Sequence, residues 1–427
     1  MNRLYLAFLL LGLIAFISAK QDPVFLNETY YSDYVKLEDD RGSLWYWLFE
    51  SRNSPKEDPL ILYIPDGPGH TAAFSALAVN GPFKINDDNS TLSINPYSWN
   101  NIANVLYVDT PLGTGFSETD DLENMPLNQS GVADDIFTLL QQLVIQHPQF
   151  KGRDLYVAGD GWVAHTLVWV CNKILENSDD LDLKLKGWHA MNPYIYPAVQ
   201  YPTWPEFAYQ RKLINESTYN SLKEAFVPIA EWLSHLNDPD DLIEGDSDAH
   251  NYLSTDIIGN HSFNPLNIAQ SCPYPDSGTV ECYDFGAVEQ FILQPKVLKA
   301  LDIVNADVWA FFNFSAFNAN TIRDYLDNSI PYFSKLVQSG LQGVVYVGDN
   351  DLYRNEIGVE RVVNDFEWDG QEKFKDLKYK TWGDHGEYKH LDNLTLMKVK
   401  DAGFFIPIDQ PSTSLLGLER LFNSTEW

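Results

Sequence analysis

Short apolar, β-branched runs recur along this chain, and each stops at glycine, aspartate or proline. They are PLILYIPDGPG (59–69), NVLYVDTPLGTGFS (104–117), DLYVAGDGW (154–162), LKGWHAMNP (185–193), GVVYVGDND (343–351) and LTLMKVKDAG (394–403). Runs of this kind belong to strands buried on both faces. Helical patterns lie between several of them. One spans Ala133 to His147, with Asp134 and Asp135 in its first turn and Pro148 as its stop. Another follows Gly161, and a last one starts near Pro411. Strand and helix in alternation predict an α/β architecture around a mostly parallel sheet. In such sheets the working residues sit just past the carboxyl ends of the strands.

Residues 194–300 break the rhythm. They are rich in proline, tyrosine and acidic residues and predict a helical insertion, a lid over the sheet edge, between core parts 20–193 and 301–427. The acidic stretch 237–250 lacks the spacing of a calcium loop. No residue cluster has metal-ligand spacing, and nothing calls for a cofactor.

The N-terminus reads MNRLYLAFLLLGLIAFISAKQD, with Arg3 before an apolar run from Leu4 to Ile17 and then Ser18 and Ala19. This is the pattern of a secretory signal peptide, residues 1–19; the rival reading, an uncleaved anchor, has a run that is short for a span. Asparagine sequons at Asn27, Asn89, Asn128, Asn215, Asn260, Asn313, Asn393 and Asn423 predict a glycosylated surface. In an oxidising compartment Cys272 and Cys282, which flank a short loop, are expected to pair, leaving Cys171 as a buried thiol on an apolar helix. Sixty acidic residues against 29 basic ones leave a net charge of −31, which argues against nucleic acid and acidic lipid as partners. The expected setting is the lumen of the secretory pathway, a vacuole or lysosome, or the exterior, with no membrane segment in the mature chain.

The stretch RDLYVAGDGWVAHTL (153–167) runs from apolar strand through small-residue turn to helix, the shape of a nucleophile elbow. Around it, DGPGHTAAF, NGPFKINDDNSTLSINPYSWNNIANVLYVDTPLGTGFS, LKGWHAMNPYIYPAVQYPTWPEFAYQRKLI, CYDFGAVEQFILQPKVLKALDI, GDNDLYRNEIG and AGFFIPIDQP follow in order. With these landmarks the chain resembles the serine carboxypeptidases, an α/β-hydrolase family of secretory and vacuolar compartments. The later landmarks look most like the Golgi branch that trims basic residues from propeptides, without that branch's tail and anchor.

The resemblance implies where the active site should be, and there this sequence departs from the family. Gly161 stands at the nucleophilic serine and Phe404 at the histidine, while Asp351 matches the triad aspartate. Gly67 and the amide of Trp162 match the oxyanion-hole donors. At the positions that grip a substrate's terminal carboxylate stand Pro65, Asp160 and Val79, and Asp66 replaces the first glycine of the family's loop with a charge that repels carboxylates. Glycine has nothing to attack with, and phenylalanine has no lone pair to act as a base.

The expected function is therefore that of a homologue without hydrolytic activity, a binding or regulatory glycoprotein with a peptide, glycan or protein ligand. The alternatives are a serine-type carboxypeptidase with residual or relocated activity, for which Asp160 is the nearest substitute nucleophile, and a structural or assembly glycoprotein. Trp162, Phe404 and Phe405 are expected to fill the vacated site. His165 should pack beside the elbow, and Arg354 should reach the orphaned Asp351. His70, His385 and His390 read as surface residues in polar loops.

Overall fold

The computed structural model describes residues 18–423, apart from 236–238, 260, 273–281, 284–285, 305, 307–308, 314, 316–323 and 325. The apolar run of the predicted signal peptide, the sequon Asn260 and part of the acidic stretch lie outside the described residues.

Among the described residues ten strands form one sheet: β1 (Tyr30–Lys36), β2 (Ser43–Phe49), β3 (Leu60–Ile64), β4 (Asn104–Val108), β5 (Arg153–Asp160), β6 (Leu183–Met191), β7 (Gln342–Gly348), β8 (Lys380–Thr381), β9 (Gly386–Leu391) and β10 (Leu394–Val399). Their order is β1-β2-β4-β3-β5-β6-β7-β10-β9-β8. The six central strands, β4 to β10 in that order, are parallel, and the flanking pairs are antiparallel. The six apolar runs are these six central strands.

Alternation along each strand divides the core into two layers. Leu60, Leu62, Ile64, Leu155, Val157, Val345 and Val347 point to one face, where α1 (Gln129–Gln146) and α2 (Ala164–Glu176) pack. Ile61, Tyr63, Tyr156, Ala158, Val344 and Tyr346 point to the other, with Trp99, Phe405 and Leu418. Helix α1 starts earlier than expected. Asn128 caps it by accepting the Gly131 N–H at 2.9 Å, so Asp134 and Asp135 lie in its second turn.

A third cluster covers the carboxyl end of the sheet. It holds Trp162, Tyr194, Tyr201, Trp204, Phe226, Leu253 and Leu352, mostly from α3 (Trp204–Gln210), α4 (Glu216–Trp232) and the segments around them. The inserted helices thus sit over the strand ends, where Trp162 follows β5 and Leu352 follows β7, and not over the sheet edge as the sequence suggested. The later helices of the same stretch, Gly286–Ile292 and Pro295–Ala300, pack against the second core layer instead. Cys272 and Cys282 form a disulfide, and Cys171 is a buried free thiol whose pKa burial pushes up.

Candidate functional site

The chain leaves β3 to form β4 on one side and returns to form β5 on the other. The carboxyl ends of β3 and β5 are therefore the point where the winding direction reverses, and a crevice opens at such points. Ile64 and Gly159 are paired across these two strands. Two residues beyond each, Asp66 and Gly161 face one another.

Gly161 has φ +64°, the left-handed conformation of a tight strand-to-helix turn, and side chains are strained there. A Cβ on Gly161 would lie 2.2 Å from Asp66 Oδ1 and 2.5 Å from its Cγ. The Asp66 carboxylate thus occupies the space above the elbow. Its Oδ1 accepts the Trp162 N–H at 2.7 Å, and its Oδ2 accepts the Arg354 guanidinium at 3.1 Å. Both partners of this ion pair are largely buried, with side chains 11% and 14% exposed for Arg354 and Asp66. The guanidinium lies 4.2 Å from the Phe404 ring centroid and 4.7 Å from that of Tyr194, so aromatic faces hold it on two sides.

Asp351, just past β7, is fully buried. Its Oδ1 accepts the backbone N–H of Arg354 at 3.1 Å, the turn geometry expected of a strand-end aspartate. Burial raises its pKa to about 7, with Arg354 opposing. The expected pairing of Arg354 with Asp351 is thus corrected: the backbone of Arg354 serves Asp351, and its guanidinium goes to Asp66. Asp160, at the end of β5, is also buried; burial first and the Asp66 charge second raise its pKa to about 8. A carboxyl group that keeps its proton at neutral pH is a poor nucleophile.

Phe404 and Phe405 follow β10, are buried, and meet edge to face at 4.6 Å. Asn192, just past β6, fixes this turn. Its side-chain N–H donates to the Phe404 carbonyl at 2.6 Å, and its Oδ1 accepts the Gly348 N–H at 2.9 Å. Trp162 does not fill the space above Gly161. Its ring belongs to the third cluster and stacks on His165 at 5.2 Å. His165 packs beside the elbow as expected, with Nδ1 at 2.6 Å from Ser329 Oγ, and burial lowers its pKa to about 3. Pro65 and Val79 are buried, and Gly67 lies in the turn directly after Asp66.

His70, His385 and His390 are not exposed as expected. His70 is half-buried against Phe311 and Phe312, with Nδ1 at 2.9 Å from the Asp66 carbonyl oxygen. His390 lies within β9, and His385 bonds Thr413 Oγ1 at 2.7 Å; both are half-buried. Among the sequons, Asn27, Asn128, Asn215 and Asn423 are exposed. Asn393 donates its side-chain N–H groups to the carbonyls of Val337 and Leu341 at 2.9 and 2.7 Å, and Asn313 donates to Gly113 at 2.7 Å. A glycan on either nitrogen requires giving up such bonds.

Sequence reasoning placed Gly161, Asp351 and Phe404 at strand ends that do converge. It missed the Asp66–Arg354 pair that joins them. The available signal was volume: the resemblance implies a serine where Gly161 stands and a glycine where Asp66 stands, at neighbouring strand ends.

Comparison with known proteins agrees with this architecture. The sequence model of the serine carboxypeptidase family, Peptidase S10, matches residues 20–424. Serine carboxypeptidase-like 49 of Arabidopsis thaliana is 31% identical over 409 residues, covering 92% of this chain and 76% of the relative. Serine carboxypeptidase S10 family member 1 of Dictyostelium discoideum is 28% identical, covering 88% and 90%. The crystal structure of Kex1(delta)p, a prohormone-processing carboxypeptidase from Saccharomyces cerevisiae, superimposes with a TM-score of 0.74 at 23% identity, covering 94% of this chain and 92% of that one. The mixed, mostly parallel sheet is thus that of an α/β-hydrolase, and the chain belongs to the serine carboxypeptidase family.

Proposed function

We propose that this chain is a serine carboxypeptidase homologue without hydrolytic activity, and that it works in the secretory pathway as a binding or regulatory glycoprotein. One observation carries the reading: the Asp66 carboxylate lies where a nucleophile's side chain would stand and takes the Trp162 N–H that would otherwise face a reacting oxyanion. Gly161 offers no attacking atom, and Phe404, at the position of the family's base, offers no lone pair. Loss of the nucleophile or the base of such a catalytic unit typically costs about as much as loss of all three members, on the order of 10⁶ in turnover.

Asp351 then serves as a turn-forming residue, a remnant of the triad. Within residues 194–300 the earlier helices act as a lid over a core built from 20–193 and 301–427, to which Gly286–Ile292 and Pro295–Ala300 add, after removal of 1–19. The partner is a peptide, glycan or protein; net charge −31 disfavours nucleic acid. A purely structural glycoprotein role is the reading left if no saturable ligand exists.

The test is release of C-terminal amino acids from blocked dipeptides by the full-length glycosylated protein from about pH 4 to 7.5, where carboxylates and histidines titrate. No release above background is expected. Clear release, abolished by Asp160→Asn or His165→Ala, would overturn the proposal in favour of a relocated nucleophile.

A further inference from the structure

The two donors that hold Asp66 define a site in their own right. The Trp162 N–H comes from the elbow after β5, and the Arg354 guanidinium comes from the turn after β7. They meet one carboxylate from opposite sides, one donor to each oxygen. Phe404 and Tyr194 also contact the guanidinium, so Asp66 is not its sole support. A cation and an N–H with support besides their anion make a partly preformed receptor. The occupant, by contrast, hangs from the loop after β3, and what it presents to the receptor is only the group CH2–COO⁻.

We propose that Trp162 N–H and Arg354 form a carboxylate receptor that Asp66 occupies as a tethered internal ligand, and that a free carboxylate binds there once Asp66 is removed or displaced. This rests on the non-catalytic reading above and gives it a ligand chemistry. The other carboxyl groups beside the receptor, Asp160 and Asp351, are buried and held largely protonated in mildly acidic solution, so they do not repel an entering anion there. Burial lowers the pKa of His70, whose Nδ1 lies at 2.9 Å from the Asp66 carbonyl oxygen.

Size makes the proposal testable. Asp66→Ala deletes a carboxylate group, the volume of formate. Asp66→Gly deletes one methylene more, the volume of acetate. At pH 5.5, with ionic strength held by chloride, sodium formate should raise the melting temperature of Asp66→Ala saturably. Acetate should do so for Asp66→Gly but not for Asp66→Ala. The wild type should bind either anion at least ~10-fold more weakly, because a tethered carboxylate competes at an effective concentration of roughly millimolar or above. Adding Arg354→Ala should abolish the effect in both variants. Should the single variants fold poorly, refolding yield in formate or acetate against equal chloride reads the same site. A formate or acetate response no greater than that of chloride, or one that survives Arg354→Ala, would overturn the receptor. Dipeptide hydrolysis is a separate assay, and a positive result there would sink the non-catalytic reading without touching this one.

Discussion

Restoring serine at position 161 tests whether the elbow and Asp66 form one unit. Two costs arise. Serine at φ +64° is strained relative to glycine by about 1–2 kcal/mol. The new Cβ would stand 2.2 Å from Asp66 Oδ1, so the carboxylate must leave the Trp162 N–H, and a hydrogen bond to a charged group is worth about 1.5–3 kcal/mol. Gly161→Ser should therefore destabilise the fold by ~2.5–5 kcal/mol. Unfolding entropy near 2 cal/mol/K per residue over a chain of this length makes each kcal/mol worth roughly 1 °C, so the melting temperature should fall by about 3–6 °C. In an Asp66→Gly background the clash is gone and only strain remains, about 1–2 kcal/mol. The cycle of four proteins, measured by calorimetry or denaturant titration at one pH, should give a coupling of ~1.5–3 kcal/mol. Equal cost of Gly161→Ser in both backgrounds would refute the contact, and a rise in melting temperature would refute the strain as well.

Two further outcomes are expected. Burial raises the pKa of Asp109 to about 7, Asp160 to about 8 and Asp351 to about 7, so the fold keeps protons that the unfolded chain loses near pH 4, and stability should fall as pH rises toward 8. Burial lowers the pKa of His147 to about 4 and of His165 and His189 to about 3, which makes stability rise with pH up to about 6.5, where the unfolded histidines lose their protons. The two sets oppose one another between about pH 4 and 6.5, and only the carboxyls act above it; denaturant titrations should show decline from pH 6.5 to 8, less steep in Asp160→Asn, and an unchanged slope in that variant would contradict the assignment. Asn192→Ala removes bonds to the Phe404 carbonyl and the Gly348 N–H and should cost about 2–3 kcal/mol, read as a lowered denaturation midpoint with an unchanged slope; a neutral result would mean that the turn after β10 holds itself.

The central sheet was legible because its six strands are buried on both faces and carry their apolar runs openly. Strands β1 and β2 escaped notice because YYSDYVK and SLWYWLF mix polar residues with aromatics and pair antiparallel at one edge. Strand β9, GEYKHL, carries charge because it lies toward the other edge, next to the two-residue β8. Helix α1 was read from its acidic residues, yet its start is set by a capping asparagine that the sequence offered only as a sequon. Individual site positions were legible because strand ends are local features. The pair that fills the site joins residues 288 apart, and no local pattern carries such a contact.

The kind of filling matters more than the fact of it. Sequence alone suggested apolar bulk, with Trp162 beside Phe404 and Phe405. Apolar packing would have erased the polar character of the crevice along with its chemistry. Instead the Trp162 ring turns to the lid, where it contributes to the third cluster, and Phe404 packs against a guanidinium rather than against another ring alone. A charge brought into a crevice this closed is tolerated only when both oxygens find donors, and Asp66 finds one on each side. The strand ends thus present an N–H and a guanidinium that together hold a carboxylate, and the proposed carboxylate-binding role rests on that pair of donors.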